Sequence, residues 1–159
     1  MRYVVIQYNG IDRTEAAMFR YRRKAQYHET DQMGVIHHAV YVKWMEEARV
    51  AFLDALGFGY VDIEREGVVS PVVGISIDYR RPTMFSDEVE IDVRINKYST
   101  RMLEVGYEIR NLTKGTLAAE GVSKHCYLKD GAVVSLRTAL PKLDALLSAY
   151  MDSDENRTE

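Results

Sequence analysis

Hydrophobic and polar residues alternate strictly over several segments of this chain, which is the period of strands with one buried face. The segments predicted as strands are 19–27, 73–79, 89–95, 103–109, 117–128 and 132–135. Turn signals lie between the later ones, at 111–115 and 129–131. A shorter run over 3–8, closed by Asn9-Gly10, predicts an added edge strand. Because antiparallel strands can bury one face and leave the other in water, we expect an antiparallel sheet.

The period changes to that of an α-helix between the first strand and the others. From about His38 to Leu56, apolar residues recur every three or four positions, and Gly57 follows as a left-handed stop. A second amphipathic helix is predicted from Pro141 to Tyr150. A sheet with one apolar face needs a cover, which the long helix can supply. We therefore predict an α+β fold in which an antiparallel sheet wraps around one long central helix.

The length of 159 residues is that of one domain, expected over 1–150 with an N-terminal extension over about 1–17. The tail 151–159 is too polar to pack and is expected to be disordered. With 47% hydrophobic and 28% charged residues, the composition is typical of a globular protein. A single core is therefore expected.

Charge, hydropathy and cysteine content argue against nucleic-acid binding, a membrane span and an internal disulfide. The formal net charge of -3 provides no basic field for a nucleic acid. No apolar run approaches the roughly 20 residues that a membrane span needs. The single cysteine, Cys126, cannot form an internal disulfide. These observations predict a cytoplasmic protein that binds no nucleic acid and does not span a membrane.

The densest cluster of reactive side chains precedes the long helix and contains His28, Asp31, His37 and His38. Free amide groups at a helix N-terminus, with the positive end of its dipole, can hold developing negative charge. A carboxylate beside them can attack an acyl carbon or activate water, and Asp31 is placed for either. The alternative is that Asp31 only caps the helix or a turn.

Other chemistries fit the sequence less well. The four cluster residues are metal-ligand types, but neighbouring His37 and His38 point in different directions and no H-E-x-x-H occurs. We expect no metal. The motifs of serine hydrolases, P-loop proteins and Rossmann folds are missing from the sequence. His125 and Cys126 are neighbours in a predicted strand and face opposite sides, so we expect a packed thiol and not a reactive pair.

Segment 27–49 has the spacing of a known signature, in which an Asp, two spacer residues and a Gly lead to a helix bearing Tyr, Glu and Arg. The residues in register with it are Asp31, Gly34, Tyr41, Glu46 and Arg49. In this the chain resembles the 4-hydroxybenzoyl-CoA thioesterase-like branch of the hotdog-fold acyl-CoA thioesterases. The resemblance extends more loosely to about Leu128. It implies the hotdog fold and hydrolysis of acyl-CoA to a free acid and CoA, without a cofactor.

The resemblance also implies residue roles. Asp31 matches the family's catalytic carboxylate, described as nucleophile or general base. His38 matches the position at the helix start whose main-chain N–H polarises the thioester carbonyl. Gly34 and Tyr41 are assigned to the substrate-binding site, although Tyr41 also fits the core. The phosphates of CoA need local cations. The candidates are Arg80, Arg81, Lys97 and Arg101, for which solvated turn charges are the simpler alternative.

Three other functions stay open at this point. The substrate could be carried by acyl carrier protein and not by CoA. The domain could be a hotdog module that binds acyl thioesters without catalysis. A hotdog dehydratase is a third possibility, but its His-Phe-Pro-Gly type loop is missing. Because one curved sheet leaves an exposed edge, we expect a homodimer with shared sites, which could pair further into a homotetramer.

Overall fold

The computed structural model describes residues 19–155, with side chains through Ser153. The strands are β1 (Phe19–Lys24), β2 (Val68–Val69), β3 (Val72–Tyr79), β4 (Glu88–Ser99), β5 (Met102–Asn111), β6 (Thr116–Cys126), β7 (Leu128–Lys129) and β8 (Ala132–Val133). The α-helices are α1 (Val40–Leu56), α2 (Tyr60–Arg65), α3 (Leu136–Ala139) and α4 (Pro141–Glu155), and a 3₁₀ turn covers Tyr27–Glu29. No helix in this part of the chain is long and apolar enough to cross a membrane.

Five strands form one antiparallel sheet in the order β1-β4-β5-β6-β3. The three short strands form a second sheet in the order β2-β7-β8. In the large sheet, the end of β1 lies beside the start of β4, and the end of β3 lies beside β6 at Ala119. The loops after β1 and after β3 therefore leave the sheet at the same end.

The helix α1 packs on the large sheet and closes the core. Trp44, Met45, Ala48 and Phe52 lie on its buried face. The sheet residues with which they share the buried core include Val89, Ile91, Val93, Val105, Tyr107, Ile109 and Ala119. The helix approaches β6 so closely that a side chain at Gly121 would lie 2.8 Å from the Met45 sulfur. A glycine there is what allows this close packing.

The predicted α+β class, the antiparallel sheet and the long helix are confirmed. The helix begins at Val40, and Gly57 ends it with a φ of 93°. β1 ends at Lys24, three residues earlier than predicted, because the Gln26 N–H donates to a Glu29 carboxylate oxygen at 2.7 Å and not to a neighbouring strand. That bond starts the 3₁₀ turn.

The C-terminal tail differs from the expectation as well. α4 continues to Glu155, five residues into the segment expected to be disordered. Tyr150 and Met151 pack against the core, which supports the extra turn. The short helices α2 and α3 and the strand β2 were not predicted, because segments of two to six residues carry too little periodicity. The predicted strand over 3–8 lies outside the described residues.

Candidate functional site

Asp31 lies in a tight loop between the 3₁₀ turn and α1. Its N–H donates to the Val35 carbonyl at 2.8 Å, and its carbonyl accepts from the Gly34 N–H at 3.0 Å. The carboxylate oxygen Oδ1 accepts from the Met33 N–H at 2.8 Å. Gly34 has a φ of 76°, which favours glycine at this position. The loop therefore holds the half-buried Asp31 side chain in a defined place.

The Asp31 side chain caps this turn and not the helix, so the capping alternative holds for one carboxylate oxygen only. Among the described residues, nothing donates a hydrogen bond to the other oxygen, Oδ2, and no cation pairs with the carboxylate. Asp31 is therefore fixed through Oδ1 and keeps Oδ2 for another group.

The N-terminus of α1 has no carboxylate cap. The N-cap residue is Ala39, and the first helical turn has no acidic side chain. His37 satisfies two main-chain N–H groups, since its Nδ1 accepts from Ala39 at 3.1 Å and its carbonyl accepts from Val40 at 2.9 Å. The His38 N–H has no acceptor within the described part of the chain. The positive end of the helix dipole is thus open to an acyl oxygen.

The end of strand β3 contacts the main chain just before α1. The Tyr79 hydroxyl donates to the His38 carbonyl at 2.8 Å. The Tyr79 ring also meets the Tyr41 ring edge to face, with centroids 5.4 Å apart. Tyr41 is buried and contacts Trp44, so its predicted place in the core is confirmed. The His38 main chain is therefore fixed by a residue of the sheet edge.

Glu29 is a site residue that the sequence did not reveal. The residue as a whole is only 8% exposed. Oε1 accepts from the Trp44 indole N–H at 3.0 Å and from Arg23 at 2.5 Å, and Oε2 accepts from the Gln26 N–H at 2.7 Å. Its carbonyl accepts from the His37 N–H at 2.9 Å. An acidic residue in a polar loop has no periodicity to mark it as buried, so no sequence signal distinguished it.

The loop between β3 and β4 contacts the loop over 30–39 that contains Asp31, which we call the Asp31 loop. The Ile36 N–H donates to the Thr83 carbonyl at 2.8 Å. Asp87 closes this loop by accepting from the Met84 N–H at 2.8 Å, from Asn111 at 2.7 Å and from Lys114. Burial works to raise the Asp87 pKa, but these donors hold it below the ordinary value. Asp87 therefore stays ionised and keeps the support rigid.

An apolar surface surrounds the Asp31 loop. It consists of four exposed side chains, Tyr27, Met33, Met84 and Phe85. The rings of Tyr27 and Phe85 meet edge to face at 5.6 Å, and Met84 is bridged to Val35 of the loop. Exposed aromatic and methionine side chains beside a carboxylate are suited to an apolar ligand.

The predicted site residues divide between two ends of the sheet. Asp31, Gly34, His38 and Tyr41 lie at the end where β1 and β3 finish, as do the two basic residues that follow β3. Those residues, Arg80 and Arg81, line a shallow pocket of about 390 Å³ with Thr116 and Leu117. Arg80 is paired with Glu120 at 3.1 Å. The arginines are therefore near the site within one chain.

Lys97 and Arg101 lie at the opposite end of the sheet. Lys97 is nine residues beyond Glu88 along β4, which corresponds to roughly 30 Å. It lines a second pocket of about 590 Å³, and Arg101 occupies the turn that follows β4. Within one chain these two residues are not brought together with Asp31.

The four cluster residues do not converge on a metal-binding geometry. Within residues 19–155, no group of three His, Cys, Asp or Glu side chains is arranged to hold an ion. The rings of His37 and His38 stack on each other at 4.1 Å, so the expectation that they point in different directions is wrong. The Nδ1 of His37 already accepts a main-chain N–H.

Comparison with known proteins places this site in a known context. The family model of the Thioesterase-like superfamily matches residues 25–142, which include the Asp31 loop, α1 and the large sheet. The chain is 38% identical over 120 residues to YneP of Bacillus subtilis (strain 168), provisionally named an acyl-CoA thioesterase. This alignment covers 74% of the chain and 86% of YneP.

Two further relatives have named substrates. A crystal structure of the DHNA-CoA thioesterase from Staphylococcus aureus matches with a TM-score of 0.83 and 31% identity, covering 88% of this chain and 94% of that one. A 1,4-dihydroxy-2-naphthoyl-CoA hydrolase from Synechococcus elongatus is 30% identical over 95 residues, which is 58% of this chain and 70% of the relative. The predicted hotdog fold is confirmed by these matches.

Proposed function

We propose that this chain, which belongs to the Thioesterase-like superfamily and is an acyl-CoA thioesterase, uses Asp31 as its catalytic carboxylate and the His38 main-chain N–H as its oxyanion donor. One observation carries the proposal. A carboxylate with one free oxygen lies on the loop that leads to an uncapped helix N-terminus. A thioester carbonyl between them would meet both a base and an N–H donor.

The Asp31 carboxylate can act in either of two ways. As a general base, it takes a proton from water while the water oxygen attacks the acyl carbon. As a nucleophile, its Oδ2 attacks that carbon directly, and water then hydrolyses the resulting anhydride. In both routes the C–S bond breaks, the acid is released, and the CoA thiolate takes a proton. The free Oδ2 and the half-buried position of Asp31 are compatible with both.

The His38 N–H supplies the second half of the chemistry. Attack on the thioester moves negative charge onto the acyl oxygen, and a preorganised N–H at a helix N-terminus stabilises that charge. Tyr79 supports this role, because its bond to the His38 carbonyl restrains the main chain of that residue. Removing one donor of this kind typically costs roughly 10² to 10³ in rate.

We further propose that Arg81 contacts a phosphate of CoA. It is exposed, it follows β3 at the end that contains Asp31, and no carboxylate pairs with it among the residues described. Arg80 is held by Glu120, which lowers its availability. Lys97 and Arg101 are too far away to contact the same substrate within one chain, so they could contribute only from a second subunit.

A homodimer would provide such a subunit. β3 is an edge of the large sheet and exposes Val72, Val73, Ile75 and Tyr79. Antiparallel pairing of two β3 strands would satisfy the main-chain groups of this edge and place the far end of one sheet beside the Asp31 end of the other. We propose that the active form is this dimer, with Lys97 and Arg101 facing the partner's site.

The catalytic assignment is tested with Asp31→Asn, which keeps the side-chain size and can still accept the Met33 N–H. We expect the fold to survive while hydrolysis falls by roughly 10² or more, because the base or nucleophile is lost. The assay measures free thiol released from short, long and aromatic acyl-CoA esters and from acyl carrier protein esters. If the folded variant hydrolyses the esters that the wild-type protein hydrolyses at near-normal rates, Asp31 is not the catalytic carboxylate.

A further inference from the structure

Glu29 is a buried carboxylate on which hydrogen bonds from three parts of the fold converge. Arg23 donates from β1, Trp44 from the second turn of α1, and the Gln26 N–H from the start of the 3₁₀ turn. Each distance lies between 2.5 and 3.0 Å. Both carboxylate oxygens are therefore occupied inside the protein.

Neutralising Arg23 does not require this carboxylate. Arg23 also donates to Glu47 at 2.5 Å, and Glu47 is partly exposed, so the guanidinium has a partner without Glu29. Burial of the Glu29 carboxylate is unfavourable because it loses its hydration, and the pairing of Arg23 with Glu47 does not require it. What Glu29 adds is the link to Trp44 and to the main chain of the loop.

The position of Glu29 in the chain connects the two proposed catalytic groups. It lies two residues before Asp31, and the bridge between Thr30 and Ile36 places its main chain opposite His37. Its carbonyl accepts the His37 N–H at 2.9 Å, immediately before His38. One residue therefore contacts the loop that carries Asp31, the main chain at the helix start and the body of the helix.

We propose that Glu29 is a positioning residue that fixes the separation between the Asp31 carboxylate and the N-terminus of α1. This inference rests on the proposed function. Attack on a bound thioester requires the base and the oxyanion donor to reach the same acyl group, and displacement of one by about 1 Å can cost about 10² in rate. Glu29 does not itself contact the substrate.

The test compares Glu29→Gln with Glu47→Gln. Glutamine at position 29 keeps an oxygen for Trp44 and Arg23 but turns an NH₂ group toward the Gln26 N–H, where two donors cannot bond. The Glu47 variant removes the other carboxylate from Arg23 and leaves the loop intact. We expect kcat of Glu29→Gln to fall about tenfold or more with KM within about twofold, whereas Glu47→Gln keeps both values.

A second variant removes one of the hydrogen-bond donors to Glu29. Trp44→Phe removes the indole N–H together with one ring of the side chain and keeps a benzene ring in the core, so we expect a smaller loss of kcat in the same direction. Rates are divided by the folded fraction, measured by circular dichroism. A kcat within twofold of wild type in Glu29→Gln, or an equal loss in Glu47→Gln, would overturn the positioning role.

A double-mutant cycle separates this inference from the proposed function. If Glu29 acts by placing Asp31 relative to the helix, Glu29→Gln should change the residual rate of Asp31→Asn by less than about threefold. An undiminished tenfold effect in that background would overturn the inference. Full activity of Asp31→Asn alone would instead refute the catalytic carboxylate itself and the inference with it. Loss of activity in Asp31→Asn beside a fully active Glu29→Gln would refute the positioning role only.

Discussion

The imidazole and the main-chain N–H of His38 are separable by mutation. His38→Ala removes the exposed ring but keeps the N–H, so we expect kcat to change less than tenfold and the pH profile to stay the same. A ring that transferred protons would contribute roughly 10² or more. Steady-state kinetics between pH 5 and 9 measure the difference. His28→Ala, which removes an exposed ring from the preceding 3₁₀ turn, is the control, and a specific hundredfold loss in His38→Ala would assign the ring to catalysis.

A second histidine is expected to affect stability and not the reaction. His125 is fully buried, and its Nε2 lies 2.7 Å from the Ser123 hydroxyl. Ser123 contacts Tyr107, which accepts from the buried Arg49. Burial, with a smaller contribution from the positive charge of Arg49, lowers the His125 pKa to about 4. His125 therefore stays neutral in the folded protein at neutral pH.

This shift predicts how stability depends on pH. In the unfolded chain a histidine is protonated below about pH 6.5, whereas folded His125 resists protonation down to about pH 4. The unfolded state binds more protons in this window, so the free energy of unfolding should fall by up to about 1.4 kcal/mol per pH unit as pH decreases. Urea denaturation at pH 7.5, 6.5 and 5.5 measures it. His125→Gln should flatten this dependence, and an unchanged slope in that variant would contradict the assignment.

At the scale of elements, the Asp31 loop depends on one left-handed residue. Gly34 has a φ of 76° and no atom within 4 Å of an added Cβ, so Gly34→Ala strains only the backbone. Gly131, between β7 and β8, has a φ of 78° and equally open surroundings, which makes Gly131→Ala a matched control.

Both substitutions should lower the free energy of unfolding by about 1 to 2 kcal/mol, because an L-residue is disfavoured in this conformation. Only Gly34→Ala should also lower kcat severalfold, since relief of the strain moves the turn that holds the Asp31 carboxylate. Urea denaturation and thiol-release kinetics on both variants measure the two effects. Equal activity of the two variants would show that the geometry of this turn is not limiting.

At the scale of the whole molecule, the exposed edge of β3 predicts assembly. Sedimentation at assay concentrations should give a dimer or a tetramer, because an apolar strand edge is unfavourable in water. Ile75→Lys places a charge on this edge and should weaken assembly and activity together. Val133→Lys, at an equally exposed valine of β8, should change neither. A fully active monomer would refute both the dimer and the shared site.

The sequence by itself determined the long strands, the long helix and the motif. The period of two defined the long strands, the helical period defined α1, and Gly57 marked its end, because each pattern reports locally which side chains must be buried. The spacing from Asp31 to Arg49 supplied the family resemblance. All of these features lie within short stretches of chain, where local geometry alone fixes which residues share a face.

Tertiary structure decided which charged residues are buried and which ones meet. Glu90 and Asp92 belong to the polar face of β4, yet they are buried beneath arginines of adjacent strands. Glu29 is buried because β1, the loop and α1 converge on it. From the sequence, Lys97 and Arg81 were equal candidates for binding a CoA phosphate. Because β4 runs away from the Asp31 end of the sheet, Lys97 lies at the opposite end. Such contacts depend on how distant segments pair and in which direction they run, and the periodicity of one segment contains no information about either.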